Sequence, residues 1–589
     1  MQTRTLFTMV GRLVVLALLL ASCTPAAAPT PTPKAAPPAK AAATATAAPK
    51  AAAPTAAAKP PAPTSAAKPA APTPKPAAPT PSPKPTGEQA RHGGILTASS
   101  QSEPPSLDPH QEPTINTAVL VAPCYNNLTE FDAPTGKKIV PALAESWELS
   151  PDGKLYTFTM RKGVKWHDGK PFTVADALLS LQRLTDPPKG VRSNIAFMLQ
   201  PVVDKVESPN ADTLKVTLSK AFAPFLPCIS FAYTVILPKH ILETKGNMKE
   251  TAVGTGPFKL ESYDAGVSFK TVKNKDYWVK DRPYLDGVTF FIIKDPATRL
   301  SALRTGRVLM TGRYAAALNP NEVDAIQKAE PRIKAFVEPS KGAAWFCMHN
   351  KKPPFSDVRM RRAISLVHDR QAAVQVLAQG KGTIGTVMPF EGWGLEESEL
   401  LKFPGFKQPK DAAIAEAKKL MAEAGYGQGL KLTVHARTRR TSKDPALFIA
   451  NELTKIGIQA EVKVEEDTAF WDRARRGAFE ACVYQPALAL PDPEWMSRYY
   501  IPGGALNYAR NEDDKKLIDL WQSQQQMVDI KKRQEVTKEV ERYLLTEAIP
   551  GVLIVWFNTF CAHWEHVKGV APGVSSYANI GLQEVWLAR

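Results

Sequence analysis

Residues 24–87 form a tract that contains almost nothing but Ala, Pro, Thr and Lys. Because this tract has no large apolar side chains to bury, it cannot offset the entropy lost on ordering. It also holds 19 of the 53 prolines, which favour an extended conformation. Any compact fold is therefore confined to the residues that follow, and we expect residues 23–91 to be a disordered tether.

The residues before this tract are typical of an export signal. Basic residues precede the apolar run 13–21, which is too short to span a bilayer. The run ends in Leu-Ala-Ser-Cys at positions 20–23, which resembles a bacterial lipobox. The resemblance implies that residues 1–22 are a lipoprotein signal peptide and that Cys23 carries a lipid anchor. The alternative is an ordinary secretory signal with a chance cysteine.

The positive charge of the chain does not indicate a nucleic-acid partner. Of the net charge of +17, residues 1–87 contribute +9, from seven Lys and two Arg without any acidic residue. The remaining +8 is spread without a long basic run, so we expect no nucleic acid among the partners. A hydrophobic content of 44% is typical of a globular protein, and no window of 18 apolar residues predicts a transmembrane helix.

The cysteines and the short motifs do not predict a catalytic or metal site. Five cysteines follow Cys23 at wide spacing and without a Cys-x-x-Cys pair, which argues against a disulfide scaffold or a zinc site. We expect most of them to be buried free thiols; the alternative is a pairing of Cys347 with Cys482, which both lie in strand-like runs. Because Gly-x-Ser-x-Gly, His-Glu-x-x-His and P-loop motifs are all missing from the sequence, we expect no catalytic residues, no metal and no cofactor.

Alternating strand and helix patterns after the tether predict a mixed α/β fold. Residues 155–160 and 214–218 alternate as half-buried strands do, and between them Thr173 and Asp176 form a capping-box variant ahead of a helix over 174–184. The second half predicts, in order, a helix over 409–424 stopped by Gly425, a strand over 430–434, a helix over 445–456, a strand over 458–464, a helix or helix pair over 512–547 and a buried strand over 551–557. The strand–helix–strand order over 430–464 predicts parallel pairing.

A series of short motifs carries a family resemblance. In order along the chain they are Gly94-Ile95-Leu96, Ser106-Leu107-Asp108-Pro109-His110, Pro141-Ala142-Leu143-Ala144-Glu145-Ser146-Trp147, Val164-Lys165-Trp166-His167-Asp168-Gly169, Gly254-Thr255-Gly256-Pro257-Phe258, Asn274-Lys275-Asp276-Tyr277-Trp278 and Pro354-Phe355-Ser356-Asp357-Val358-Arg359. In this order and spacing they resemble the extracytoplasmic solute-binding proteins of family 5, which serve oligopeptide and dipeptide ABC importers. The resemblance covers nearly all of the chain after the tether.

The resemblance implies a two-lobed α/β fold of the periplasmic-binding-protein type, which closes around its ligand by a hinge. By analogy, the first lobe comprises 92–135, 253–345 and 553–589, with an inserted subdomain at 136–252, and the second lobe comprises 346–552. The two crossings between the lobes, near Trp345 and near Trp556, would then form the hinge.

The resemblance also implies a function. We expect a monomeric, lipid-anchored extracytoplasmic receptor, not an enzyme, that captures a peptide or peptide-like solute and delivers it to the permease and ATPase subunits of an ABC importer. One alternative is the same role for an oligosaccharide or another non-peptide solute. A more distant alternative is a surface sensor that binds its ligand without transport.

One position departs from the pattern of the peptide-binding members. In those members, an aspartate three residues before an acidic-Pro pair holds the ammonium group of the peptide. Here Asp492-Pro493 is that pair, so Ala489 stands where the family has its aspartate. Peptide binding of the usual kind is therefore in question, and Asp492 either substitutes for the missing carboxylate or begins the following turn or helix.

Aromatic residues complete the set of candidate ligand contacts. Eleven tryptophans favour a ligand with flat apolar faces, such as a sugar ring, although the alternative for each of them is a place in the core. The full set of candidate contacts is Tyr125, Trp393, Gln485, Ala489, Asp492, Trp495 and Trp556.

Overall fold

The computed structural model describes residues 89–132, 135–311, 318–384, 387–389, 391–571 and 581–588. The predicted signal peptide, Cys23 and nearly all of the predicted tether lie outside these residues. The described strands are β1 Ile95–Ser100, β2 Thr129–Phe131, β3 Ile139–Pro141, β4 Ala144–Leu149, β5 Leu155–Met160, β6 Val203–Asn210, β7 Thr213–Leu218, β8 Phe258–Asp264, β9 Ser268–Lys273, β10 Gly287–Ile292, β11 Met310–Thr311, β12 Ile333–Met348, β13 Leu430–Arg437, β14 Ile458–Glu465, β15 Ala481–Tyr484, β16 Gly551–Trp564, β17 Val567–Lys568 and β18 Trp586–Leu587.

The helices lie between these strands. They are α1 Ile115–Val121, α2 Val174–Thr185, α3 Ala196–Leu199, α4 Phe225–Cys228, α5 Lys239–Lys245, α6 Pro296–Arg304, α7 Pro320–Ala329, α8 Val358–Val367, α9 Arg370–Ala378, α10 Glu397–Leu400, α11 Asp411–Glu423, α12 Arg440–Leu453, α13 Asp467–Arg476, α14 Ser497–Tyr500, α15 Lys515–Gln526 and α16 Ile530–Tyr543. Short 3-10 turns lie at Ala122–Cys124, Thr454–Ile456, Pro493–Met496 and Leu582–Glu584, and a π-turn at Leu544–Ala548 extends α16. The mixed α/β prediction is confirmed.

Ten strands form one mixed sheet in the order β14-β13-β15-β12-β16-β11-β1-β10-β9-β8. Strand β13 lies parallel to β14, as the strand–helix–strand pattern over 430–464 predicted, and it is also parallel to β15. The predicted buried strand over 551–557 is the first half of β16, which is antiparallel to β12. The predicted helix pair over 512–547 is α15 and α16.

The predicted helix that ends at Gly425 is α11. Gly425 follows it with a φ of +89°, a conformation that glycine adopts without strain.

A separate sheet of four antiparallel strands, in the order β4-β5-β7-β6, occupies the region that was expected to be an insertion. Strands β5 and β7 have the predicted alternating burial. Helix α2 begins as the capping box predicted, since the Asp176 carboxylate accepts hydrogen bonds from the backbone N–H (2.8 Å) and the hydroxyl (2.9 Å) of Thr173.

Three large apolar clusters hold these layers together. One lies against the half of the ten-stranded sheet that contains β1 and β10, and a second against the half that contains β13 and β15. The third fills the space under the four-stranded sheet and continues without interruption to side chains of 470–556. The four-stranded sheet therefore shares a core with the second half of the chain.

Candidate ligand-binding site

Two long neighbouring strands, β12 and β16, join the two halves of the ten-stranded sheet. They pair from Ile333 opposite Trp564 to Cys347 opposite Gly551, but their register shifts between Glu338 and Gly342 and again between Ala344 and Trp345. Strand β16 also pairs with β11 near one end, and β12 pairs with β15 near its other end. The first shift, which is the break in register at Gly342, therefore lies where the chain passes from one half of the sheet to the other.

The segment Gln485–Ala489, which follows β15, is held against this crossing. Gly342 forms a bridge with Ala487, and the N–H of Ala343 donates to the carbonyl of Pro486 at 3.0 Å. A Cβ at position 342 would lie 2.3 Å from Nε2 of Gln485, so a larger residue there would displace the end of that side chain. The Thr441 hydroxyl fixes the other end of the Gln485 amide by donating to Oε1 at 2.9 Å. Two of the candidate contacts, Gln485 and Ala489, thus lie beside the crossing.

Trp495 holds the segment Gln485–Ala489 through a hydrogen bond to its backbone. Its indole N–H donates to the carbonyl of Ala487 at 2.8 Å. Its ring lies edge-on to Phe197 and Phe231, at centroid distances of 6.1 and 6.0 Å, and the Arg498 guanidinium lies 4.6 Å from its centre. Trp495 is therefore packed between the four-stranded-sheet region and the second half of the chain, where it positions a carbonyl of the site.

Asp492 begins a helical turn, which is one of the two roles the sequence left open. It accepts the N–H of Glu494 at 2.8 Å at the start of Pro493–Met496, and it lies almost fully buried. Both of its carboxylate oxygens accept hydrogen bonds from Arg533, each at 2.7 Å. Burial by itself lowers the pKa of Arg533. The charge of Asp492 and its hydrogen bonds raise the pKa by a larger amount, so the net shift is upward. The Asp492 carboxylate therefore forms a buried ion pair with Arg533.

A second buried carboxyl group, Glu494, lies beside this pair. Burial, and then the negative charge of Asp492, raise its pKa to about 7, while hydrogen bonds from Gln525 act in the opposite direction. The Gln525 amide donates to both oxygens of Glu494, at 2.9 and 3.0 Å. Glu494 was not among the residues that the sequence singled out, because nothing in Pro-Glu-Trp indicates burial.

The other three candidates occupy different environments. Trp393 is half-buried and lies with its ring 4.8 Å from the Arg533 guanidinium, next to Asp492. Trp556 is fully buried in β16, and its backbone exchanges two hydrogen bonds of 3.1 Å with Thr383. Tyr125 lies apart from them, at a cavity of about 40 Å³ lined by residues that include Asn126, Glu130 and Tyr277. Its buried hydroxyl has no hydrogen-bond partner within the described part of the chain.

Comparison with known proteins identifies the family. Residues 138–507 match the model of the bacterial extracellular solute-binding proteins, family 5 Middle. The chain belongs to this family. The matched range contains the four-stranded sheet and the segment Gln485–Ala489.

Individual members of family 5 are similar over most of the chain. The di/tripeptide-binding protein 1 of Pseudomonas aeruginosa is 28% identical over 493 residues, which is 77% of this chain and 87% of that protein. The heme-binding protein A of Haemophilus influenzae is 30% identical over 387 residues, 61% of this chain and 68% of that protein. The periplasmic binding protein DppA of Helicobacter pylori, solved with the peptide STSA, superimposes with a TM-score of 0.69 at 26% identity, covering 85% of this chain and 99% of DppA. The expected two-lobed fold is confirmed.

A buried glutamate of this family 5 protein organises a loop next to the site. The Glu541 carboxylate, which is buried in α16, accepts the backbone N–H groups of Val387 (2.6 Å), Met388 (3.1 Å) and Leu395 (2.6 Å). Position 541 faces inward on an amphipathic helix that is rich in charged residues, so no sequence signal separates it from its exposed neighbours. Its three bonds fix the loop that carries Trp393.

The described residues contain no cluster of three or more His, Cys, Asp or Glu side chains able to hold a metal ion. Within the same residues, no helix combines the length and the apolar character needed to cross a membrane. As a member of family 5, the protein is an extracytoplasmic solute-binding protein.

Proposed function

We propose that this protein is the receptor of an ABC importer for a peptide or peptide-like solute. The observation that carries the proposal is the placement of segment Gln485–Ala489 against the strand crossing at Gly342. A ligand that contacts this segment touches the element that connects the two halves of the molecule. Ligand contacts from both lobes then stabilise a closed state, which the permease recognises. The similarity to the di/tripeptide-binding protein and to peptide-bound DppA supports this ligand class.

The division into lobes is part of the same proposal. We assign 92–135, 253–345 and 553–589 to the first lobe, 136–252 to its inserted subdomain and 346–552 to the second lobe. The four-stranded sheet, which lies wholly within 136–252, supports the inserted subdomain. The long strands β12 and β16 are the elements that would bend when the lobes open.

A particular kind of peptide fits the charges of the site. Ala489 supplies no carboxylate, Asp492 is paired with Arg533, and Glu494 is hydrogen-bonded to Gln525. A free ammonium group that loses its water on closure needs a buried negative charge. We therefore expect a solute whose recognised end is neutral, such as a peptide with a blocked N-terminus. A non-peptide solute is the second candidate, since a heme-binding protein is among the relatives and the same missing charge favours it.

Thermal unfolding of the full-length protein with a panel of solutes tests this proposal. The panel contains a free tetrapeptide, the same peptide acetylated at its N-terminus, a β-linked oligosaccharide and haem. A ligand at 100 times its Kd adds about 2.7 kcal/mol to the free energy of unfolding. We expect the acetylated peptide to raise Tm more than the free peptide. A shift with haem or the oligosaccharide alone would support the second candidate, and binding of the free peptide alone would contradict the argument from Ala489.

We also propose that the protein is anchored to the cell membrane through a lipid on Cys23. The sequence Leu-Ala-Ser-Cys at 20–23 supports this proposal. Cys23→Ser should release the protein from the membrane fraction, abolish its labelling with palmitate and leave ligand binding unchanged. Membrane retention of the unlabelled variant would contradict the proposal.

A further inference from the structure

The four-stranded-sheet region contacts the second half of the chain at places away from segment Gln485–Ala489. The backbone N–H of Ala223, in the loop after β7, donates to the carbonyl of Gln525 in α15 at 2.7 Å. A Cβ built on Gly153 would lie 3.5 Å from Cγ2 of Val528, so the turn after β4 lies against the chain that follows α15. These contacts join residues of 136–252 directly to residues of 346–552.

A second contact between the same two regions consists of two aromatic rings and one cation. Phe197, in α3, lies edge-on to Trp495 at a centroid distance of 6.1 Å. The Arg498 guanidinium lies 4.7 Å from the centre of the Phe197 ring and 4.6 Å from that of Trp495. Arg498 is half-buried, and within the described part of the chain its buried Nε has no hydrogen-bond partner. The two rings, one from each region, therefore contribute to holding this cation in place.

The Phe197 ring acts at the boundary between the regions. It is 39% exposed, so it lies at the surface of its own region and not in the core. A guanidinium is attracted to the negative face of an aromatic ring, and more strongly where water is excluded. Edge-on ring pairs add stabilisation beyond the area that they bury. Both interactions are lost when the two regions separate.

We propose that Phe197, Arg498 and the Ala223–Gln525 hydrogen bond form a clasp, which holds the inserted subdomain on the second lobe independently of the solute. This proposal rests on the proposed division into lobes. The clasp contacts involve no residue of segment Gln485–Ala489. Because they exist only when the subdomain and the second lobe are together, they raise the closed fraction of the protein whether or not a solute is bound.

Trp495 connects the clasp to the candidate site. Its ring contacts Phe197 and the Arg498 guanidinium, and its indole N–H holds the carbonyl of Ala487. Opening of the clasp therefore removes packing from the side chain that positions this carbonyl. The clasp and the shape of the candidate site are coupled through one residue.

Distance measurements between two spin labels in the full-length protein test the proposal. The protein is unfolded and refolded beforehand to remove any bound solute. The labels are attached at Gln182→Cys in α2 and Lys418→Cys in α11, two exposed helix positions in the subdomain and the second lobe. The five cysteines after Cys23 are buried free thiols, and Cys23→Ser removes the remaining one.

We expect a short distance to dominate in the labelled protein with an intact clasp. Phe197→Ala should increase the ratio of long to short distances about tenfold, because it removes both ring contacts. Arg498→Gln should act in the same direction, and Phe197→Tyr, which keeps an aromatic face, should retain the short distance. The exposed Arg475→Gln in α13 is the matched control and should change nothing.

Two results would overturn the proposal. One is an unchanged distance distribution in both Phe197→Ala and Arg498→Gln, and the other is a long distance that already dominates with an intact clasp. If Arg498→Gln does not fold, the surface variant Phe197→Ala decides the question. Because the measurement contains no solute, a wrong ligand class would alter the Tm panel and leave these distances as they are.

Discussion

The buried carboxyl group of Glu494 makes a specific prediction about the stability of the protein. Its side chain is only 4% exposed, and burial next to Asp492 raises its pKa to about 7. The hydrogen bonds from Gln525 do not offset this cost of burying the charge. Glu494→Gln keeps the shape of the side chain and leaves an amide oxygen for Gln525, but it removes the charge. We therefore expect the substitution to stabilise the protein wherever the unfolded state has released the proton of Glu494.

The size and the pH window of the effect follow from the two pKa values. The ordinary pKa of a glutamate is 4.5 and the folded value is about 7, a difference worth roughly 3 kcal/mol at about 1.4 kcal/mol per pKa unit. Between these values the folded state retains a proton that the unfolded state has released. The free energy of unfolding therefore falls as the pH rises from about 4.5 to 7, and the full cost is present above pH 7.

Thermal unfolding at pH 4 and pH 8 measures this difference. An unfolding entropy of about 2 cal/mol/K per residue implies about 1 kcal/mol/K for a folded region of this size, so Glu494→Gln should raise Tm by about 3 °C at pH 8. At pH 4 the gain should be close to zero. The exposed Glu461→Gln is the matched control and should change Tm at neither pH. An equal gain at both pH values, or a lower Tm at pH 8, would refute the reasoning.

Two further substitutions test the contacts around the site. Asp492→Asn leaves the buried Arg533 without its counter-charge, so it should lower the free energy of unfolding by about 3–5 kcal/mol in urea titrations, whereas the exposed Asp519→Asn should change it by less than about 1 kcal/mol. Glu541→Gln weakens three hydrogen bonds from the loop 387–395. It should lower the free energy of unfolding by about 2 kcal/mol and speed hydrogen exchange of those amides, and unchanged exchange would show that the carboxylate does not hold the loop.

The parts of the fold that the sequence predicted are those with a local cause. The strands over 430–464 follow from alternating apolar residues, and their parallel pairing follows from the helix between them. The start of α12 was predicted five residues too late, at Pro445 instead of Arg440. Proline is favoured in the first turn of a helix, where its missing N–H is not needed, so position 445 resembles a helix start in the sequence. In the structure Pro445 is the sixth residue of the helix.

The candidate site depended on contacts between distant residues, which a single sequence does not display. The motif Asp492-Pro493 indicated a turn, but its counter-charge Arg533 lies 41 residues away on another helix. For each tryptophan the sequence left two roles open, a flat surface for a ligand or a place in the core. The composition gives the number of tryptophan rings but not what each ring contacts. It therefore could not show that Trp495 is packed against two phenylalanines and is not an exposed ring on which a ligand could stack.

In the proposed function, the position of Gly342 would link ligand binding to closure. This residue lies at the break in register of β12, one of the two strands that join the halves of the sheet, and it forms a bridge with Ala487. A side chain at position 342 would have to displace the Gln485 amide, whose nitrogen lies 2.3 Å from where its Cβ would be. If the proposed function holds, a solute bound by segment Gln485–Ala489 would act on the strand proposed to bend between the open and closed states, and it would shift their equilibrium by its difference in affinity for the two. Specificity and closure would then depend on the same few backbone contacts.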